Sequence, residues 1–162
     1  MPHTIVVLTE ETLGSADAAR IVALHADEAD VVYRVLVPAD TERNLLADVL
    51  DHLSLFELRA ALDAVRERKP DAAEARADAG AALRGSIDSM VAVEATVTGE
   101  ITPDDPLPRL GELVAEEDVQ EVVVVTRPHA VEDTFHTDWA SRARDELGVP
   151  VLHVYAGTTR LG

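Results

Sequence analysis

The 162-residue chain has no cysteine, which excludes disulfides, thiolate metal centres and cysteine nucleophiles. Several enzyme signatures are missing as well. There is no G-x-S-x-G elbow, no G-x-G-x-x-G and no P-loop, so a hydrolase triad, dinucleotide oxidoreduction and P-loop chemistry have no support. No apolar run approaches the roughly 20 residues that span a bilayer. The opening Met1-Pro2-His3-Thr4 lacks the basic and apolar regions of a secretory signal, and a cytoplasmic location is expected. Positive charge is scarce: 14 Lys and Arg, of which Lys69 is the sole lysine, face 31 Asp and Glu, leaving a net charge of −17. Such a surface repels the phosphate backbone and anionic lipid, so neither nucleic acid nor membrane is an expected partner. The acid reads as a solubilising surface. Pairs such as Asp104-Asp105 and Glu116-Glu117 flank a helix and suit capping and solvation rather than acid–base work.

The composition is 47% hydrophobic, too apolar for disorder and suited to a single domain over residues 1–162. Continuous apolar runs at Ile5-Val6-Val7-Leu8, at 31–37, at 122–125 and at Val151–Tyr155 read as strands buried on both faces. Residues 91–98 alternate and predict a strand nearer the sheet edge, ended by Gly99. Helical periodicity lies between them. Ala18, Ile21, Val22 and His25 form one stripe behind Ser15 as a cap, and residues 42–69 carry a leucine face with a restart at Ser54. Ala72, Ala75, Ala79, Ala82 and Leu83 form a third stripe, and Leu107, Leu110, Leu113 and Val114 a fourth. Trp139, Ala143 and Leu147 mark the last helix, stopped by Gly148. Strands alternating with helices predict a doubly wound α/β fold: a five-stranded parallel sheet with helices on both faces.

This order of elements resembles the universal stress protein family along nearly the whole chain. The ending Leu147-Gly148-Val149-Pro150-Val151-Leu152-His153-Val154 is similar to the family's helix end, proline and last strand. The resemblance implies a Rossmann-like sheet in the order 3-2-1-4-5 and a homodimer that pairs the last strands, Val151–Tyr155. ATP-binding members carry Gly-x-x-Gly after strand four and a Gly-Ser or Gly-Thr at the start of the last helix. Here Thr126 and His129 hold the pair's positions with Arg127 and Pro128 between, and the last helix begins Thr137-Asp138-Trp139. Glu10 matches the acidic residue that the family brings to the nucleotide, but Glu11 adds a second charge beside it. Amides approach phosphate where no side chain intervenes. The expectation is a divergent relative that does not bind ATP in the family's usual way and has no cofactor.

In open α/β sheets ligands gather beyond the carboxyl ends of the strands. A small anionic ligand there would meet Thr9, Glu10, Thr12, Pro38, Thr126, Arg127 and His129. Arg127 suits bidentate grip of a carboxylate or phosphate, or else pairs with Glu10, Glu11 or Glu132. His129, Glu132, Asp133 and His136 share a face if their loop is helical, but no fourth metal ligand is evident and no metal is assigned. His153 reads as a strand histidine at the dimer edge, and His25 and Trp139 as packing residues. The expected function is a non-catalytic regulatory or ligand-binding module. The alternatives are a nucleotide- or phosphate-handling enzyme using Arg127 and His129, and an interaction module without a ligand.

Overall fold

The computed structural model describes residues 2–39, 72–103, 105–126 and 144–157. Along them run β1 (His3–Thr9), α1 (Ser15–Leu24), β2 (Val31–Pro38), α2 (Ala72–Ala92), β3 (Thr96–Thr102), α3 (Leu107–Glu116), β4 (Val119–Thr126) and β5 (Val151–Tyr155). The strands form one sheet in the order β3-β2-β1-β4-β5, every neighbouring pair parallel. This is the order the resemblance implied. The 42–69 helix with its restart, residues 127–137 and the pair Trp139 and Ala143 lie outside the described residues.

The continuous apolar runs are the middle of the sheet. Ile5, Val6 and Val7 of β1 are wholly inaccessible, as are Val122 and Val123 of β4. Alternate residues feed two cores. Ile5, Val7, Val35, Val37, Val123, Val125 and Val154 pack with Ala18 and Ile21 of α1 and Ala79, Ala82 and Met90 of α2. Val6, Leu8, Leu36, Val122, Val124 and Val151 pack with Leu107, Leu110 and Leu113 of α3 on the other face. Each such side chain contributes about 1.5–3 kcal/mol by leaving water, so two covered faces explain why these strands carry no polar alternation. Away from α3's leucines the second face turns polar: Arg34 on β2 reaches Glu100 on β3 and Glu117 at the end of α3. Arg109 of α3 joins Glu100 and Glu112, which hold its guanidinium still more firmly protonated.

The third strand differs from expectation. Residues 91 and 92 belong to α2, and β3 begins at Thr96 and runs through Gly99 to Thr102. The apparent alternation started in the last turn of the helix, where Met90 and, just past its end, Val93 face the core at helical spacing. α2 ends in a Schellman arrangement: the Ala95 N–H donates to the Met90 carbonyl at 3.1 Å and Glu94 N–H to Val91 at 2.9 Å. Glu94 takes the left-handed position, φ 62°, where glycine is the usual occupant. Glu94→Gly is therefore expected to raise stability by about 1 kcal/mol, measured by urea unfolding. Gly99 is needed for a different reason, close packing in mid-strand: a Cβ there would lie 2.6 Å from Leu83 Cδ1 and 2.9 Å from the Val35 carbonyl oxygen.

Helix starts are corrected in one place. Ser15 is the first helical residue of α1, and the cap is Gly14, which offers no side-chain hydrogen bond. The capping expected of the Asp104-Asp105 pair is seen for Asp105 at the start of α3, where its Oδ1 accepts the Leu107 N–H at 3.1 Å.

Candidate functional site

The chain crosses from β1 to β2 through α1, which covers the first core, and reaches β4 through α3, which covers the second. Between β1 and β4 the connections change face. Such a switch point opens a crevice beyond the strand ends, here where Thr9 lies opposite Val125 and Thr126 opposite Tyr155. Of the predicted contacts, Thr9, Glu10 and Thr126 are brought to this rim, with Pro38 one strand away at the end of β2. Arg127, His129 and the Glu132, Asp133 and His136 group lie outside the described residues.

The rim side chains are already engaged. Thr9 is buried and its hydroxyl donates to the Glu11 carbonyl at 2.8 Å, closing the β1–α1 loop on itself. Thr12 is directed onto α2, where a Cβ at Gly85 would come within 2.6 Å of its methyl. Next to it the Leu13 N–H donates to Ser86 Oγ at 2.9 Å, and Ser86 donates to the Ala82 carbonyl at 2.7 Å. Thr126 and His153, both buried, share a hydrogen bond of 2.6 Å between Oγ1 and Nε2. The His153 ring also tilts against Tyr155, centroids 4.7 Å apart.

Two residues that sequence reasoning passed over organise this end. Ser86 continues the Ala75, Ala79, Ala82 spacing, a polar residue on a buried stripe, and that was its signal. Asp17, in the first turn of α1, is buried; both of its oxygens accept the Gly157 N–H, at 3.1 and 3.0 Å, and Arg20 Nη2 stands 3.4 Å away. A carboxylate of the chain thus lies at the positive end of α1, where an anionic ligand would otherwise gain from the helix dipole.

The opposite end of the sheet holds a cavity of about 460 Å³ lined by His3, Ile5, Glu28, Gln120, Glu121 and Pro150, among others. Beneath it His25 links three elements. Its Nδ1 is 2.9 Å from the Ile21 carbonyl, its Nε2 2.9 Å from Glu121 Oε2, and the Tyr33 hydroxyl is 3.4 Å from Nδ1. A carbonyl only accepts, so Nδ1 donates to Ile21, and Nε2 stands at hydrogen-bond distance from the carboxylate. The packing role expected of His25 holds, with a polar function added. Burial, then Glu28 and Glu121, push the Tyr33 hydroxyl up from 10.0 to about 12. The folded chain keeps this proton where the unfolded chain loses it, so this contribution to stability is intact below pH 10 and is lost as the pH rises to 12. Ultraviolet titration should show a late tyrosine transition that Tyr33→Phe removes.

No family model matches the sequence, and no curated protein matches it. Comparison with solved structures does find neighbours. A universal stress protein family protein from Arabidopsis thaliana, crystallised with AMP bound, superposes with a TM-score of 0.54 over 97% of this chain and 94% of its own, at 12% identity. The fold is that of the universal stress proteins. The universal stress protein UspA from Lactobacillus plantarum is also similar, with a TM-score of 0.45 at 13% identity over 95% of this chain and 99% of its own. Thr126, which the resemblance sets at the first glycine position of ATP-binding members, has its side chain buried against His153. Among the described residues no group of three or more histidines and carboxylates could hold a metal, and no helix is long and apolar enough to cross a membrane.

Proposed function

We propose that this chain is a non-catalytic, universal-stress-like regulatory protein that binds a small anionic ligand and does not bind ATP in the way of glycine-bearing members. Thr126 carries the proposal. Its side chain stands where a glycine would let backbone amides close on phosphate, and its hydroxyl is committed to His153. The Asp17 carboxylate in the first turn of α1 adds to the cost of a polyphosphate nearby. The ligand would lie over Thr9, Glu10 and Thr126, gripped by Arg127 with His129 beside it. We place the protein in the cytoplasm, as a homodimer through β5.

One observation favours a second reading, nucleotide handling: the Arabidopsis neighbour of the same fold holds AMP. Thermal-shift and calorimetric titration with ATP, AMP and small carboxylic and phosphoric acids separates the two. The expected result is no response to ATP and stabilisation by a small anion that Arg127→Glu abolishes. Binding of ATP or AMP with slow phosphoryl or adenylyl transfer lost in His129→Ala would establish the enzyme instead. A flat screen would leave an interaction module without a ligand.

A further inference from the structure

The cavity at the starting ends of the strands is built by β1, β4 and the turn that leaves α1. Ile5 lies opposite Glu121 in the β1–β4 register, and both line it, Ile5 as a wholly buried apolar floor. The turn contributes Glu28 and Ala29, and Pro150 closes the side toward β5. No lysine or arginine is in this lining, and its His3 has Asp118 Oδ2 at 3.3 Å from Nδ1. The C-terminal end of α1, the negative pole of its dipole, leads into the same turn with no basic residue in its last turn. Glu121 is held in place from inside the fold. Its Oε2 is 2.9 Å from Nε2 of the buried His25, which is itself anchored on the Ile21 carbonyl, while Glu121 keeps a face toward the cavity. After burial, Glu28 and Glu121 are what raise the Tyr33 hydroxyl, so the fields of the two carboxylates meet at this end of the sheet.

We propose that this cavity binds a small organic cation, a primary ammonium on a short hydrocarbon body, between Glu28 and Glu121. The volume of about 460 Å³ falls in the range of small-molecule sites, about 300–1,000 Å³. A metal ion suits it less well. Among the described residues no group of three or more histidines and carboxylates could hold one, and a hard divalent cation needs several oxygen ligands converging at once. An ammonium brings three donors of its own and is satisfied by two separated carboxylates and water. Its hydrocarbon body would rest on Ile5 and Pro150, which a hydrated ion has no use for. His25 acts through Glu121, fixing one carboxylate oxygen so that the other is oriented before the ligand arrives. The site lies at the opposite end of the strands from the rim and takes the opposite charge, so it stands independently of the anion proposed there.

Calorimetric titration of the full chain with n-pentylamine tests this, with 1-pentanol and pentanoate as neutral and anionic probes of the same body. The amine is expected to bind one to one and the other two not at all. Glu28→Gln changes an exposed side chain on the turn, so the fold should stand, as circular dichroism would confirm, while affinity for the amine falls about fivefold. Ala29→Phe keeps both carboxylates but fills the space between them, and should remove binding. Glu74→Gln deletes the same charge from an exposed position in the first turn of α2 and should leave affinity unchanged. An equal loss in Glu74→Gln and Glu28→Gln would show only the general attraction of an acidic surface and overturn the site. Pentylamine bound equally well by Ala29→Phe would place it outside the cavity. Pentanol bound as tightly as pentylamine would mean that the carboxylates recognise nothing, and an amine that does not bind the parent chain ends the proposal.

Discussion

Replacing His25 with alanine is expected to lower the free energy of unfolding by about 3 kcal/mol, measured by urea denaturation followed by circular dichroism. Stranding buried hydrogen-bonding partners costs about 1–3 kcal/mol for each, more for a charged group. The His25 side chain is only 2% exposed, but Glu121 retains 24%, and water reaching the carboxylate puts the effect at the lower end. The loss has three parts. The imidazole volume leaves a cavity beside Tyr33, whose ring packs edge-on at 5.8 Å. The Ile21 carbonyl and Tyr33 hydroxyl lose a partner, and the Glu121 carboxylate loses its counterpart. His25→Leu restores the volume but not the hydrogen bonds and should recover about 1 kcal/mol of this. Glu121→Gln keeps an acceptor at a partly exposed position and should cost about 1 kcal/mol alone. In a double-mutant cycle the two sites should couple by more than about 0.5 kcal/mol, as residues in contact do. A drop below 1 kcal/mol for His25→Ala, or no coupling, would mean that the link joining α1, β2 and β4 is incidental.

The parts of this fold that could be seen in the sequence are those with water on neither face. Ile5 to Val7 and Val122 to Val125 are apolar in succession because a core lies on each side, and their short, β-branched runs suit a strand covered on both faces. β3 was misplaced because its signals are weak or inverted. Only one face of an outer strand is well covered, so its burial falters: Thr96 and Thr98 are exposed while Thr102 is buried. The helix before it ends at Ala92, and the left-handed turn falls on Glu94 with no glycine to announce it. The glycine that is present, Gly99, serves close packing against Leu83 and Val35 rather than termination. A rule that glycine marks ends fails twice in six residues, for opposite physical reasons.

The site divides along similar lines. That Thr9, Glu10 and Thr126 share a rim followed from strand order alone. What their side chains do did not, because hydrogen-bond partners far apart in sequence leave no local pattern. Thr126 meets His153 only through the β4–β5 register, which places His153 opposite Val124. His153 could be identified in advance as a polar break in an apolar strand, but not as the residue that holds Thr126. Thr12, expected at a ligand, instead rests in the notch left by Gly85. Asp17 has no local pattern to mark it, because the Gly157 N–H that it accepts lies 140 residues along the chain.

Ser86→Ala should cost about 2 kcal/mol, and the effect should reach the crevice rather than stay in α2. The serine is completely buried and bridges two backbone groups, accepting from Leu13 and donating to Ala82. The Ala82 carbonyl loses little, since it remains part of a helix. The Leu13 N–H loses its acceptor in a site water does not reach, and a stranded buried donor costs about 1–3 kcal/mol. Alanine removes only an oxygen, so packing changes are small and the stability loss isolates this hydrogen bond. The informative measurement is hydrogen exchange. The Leu13 amide should exchange with the deepest part of α2 in the parent protein and much faster in the variant, with Glu11 and Thr12 following because Thr9 closes that loop through Glu11. Ser86→Thr keeps the hydroxyl but adds a methyl on a fully packed helix face; it should restore Leu13 protection at a small cost in overall stability. If Leu13 exchange is unaltered in Ser86→Ala, the loop is held by Thr12 in the Gly85 notch and not by the serine. If it accelerates as expected, any ligand seated on Thr9 and Glu10 is coupled through one side chain to the helix that packs on β2 and β3.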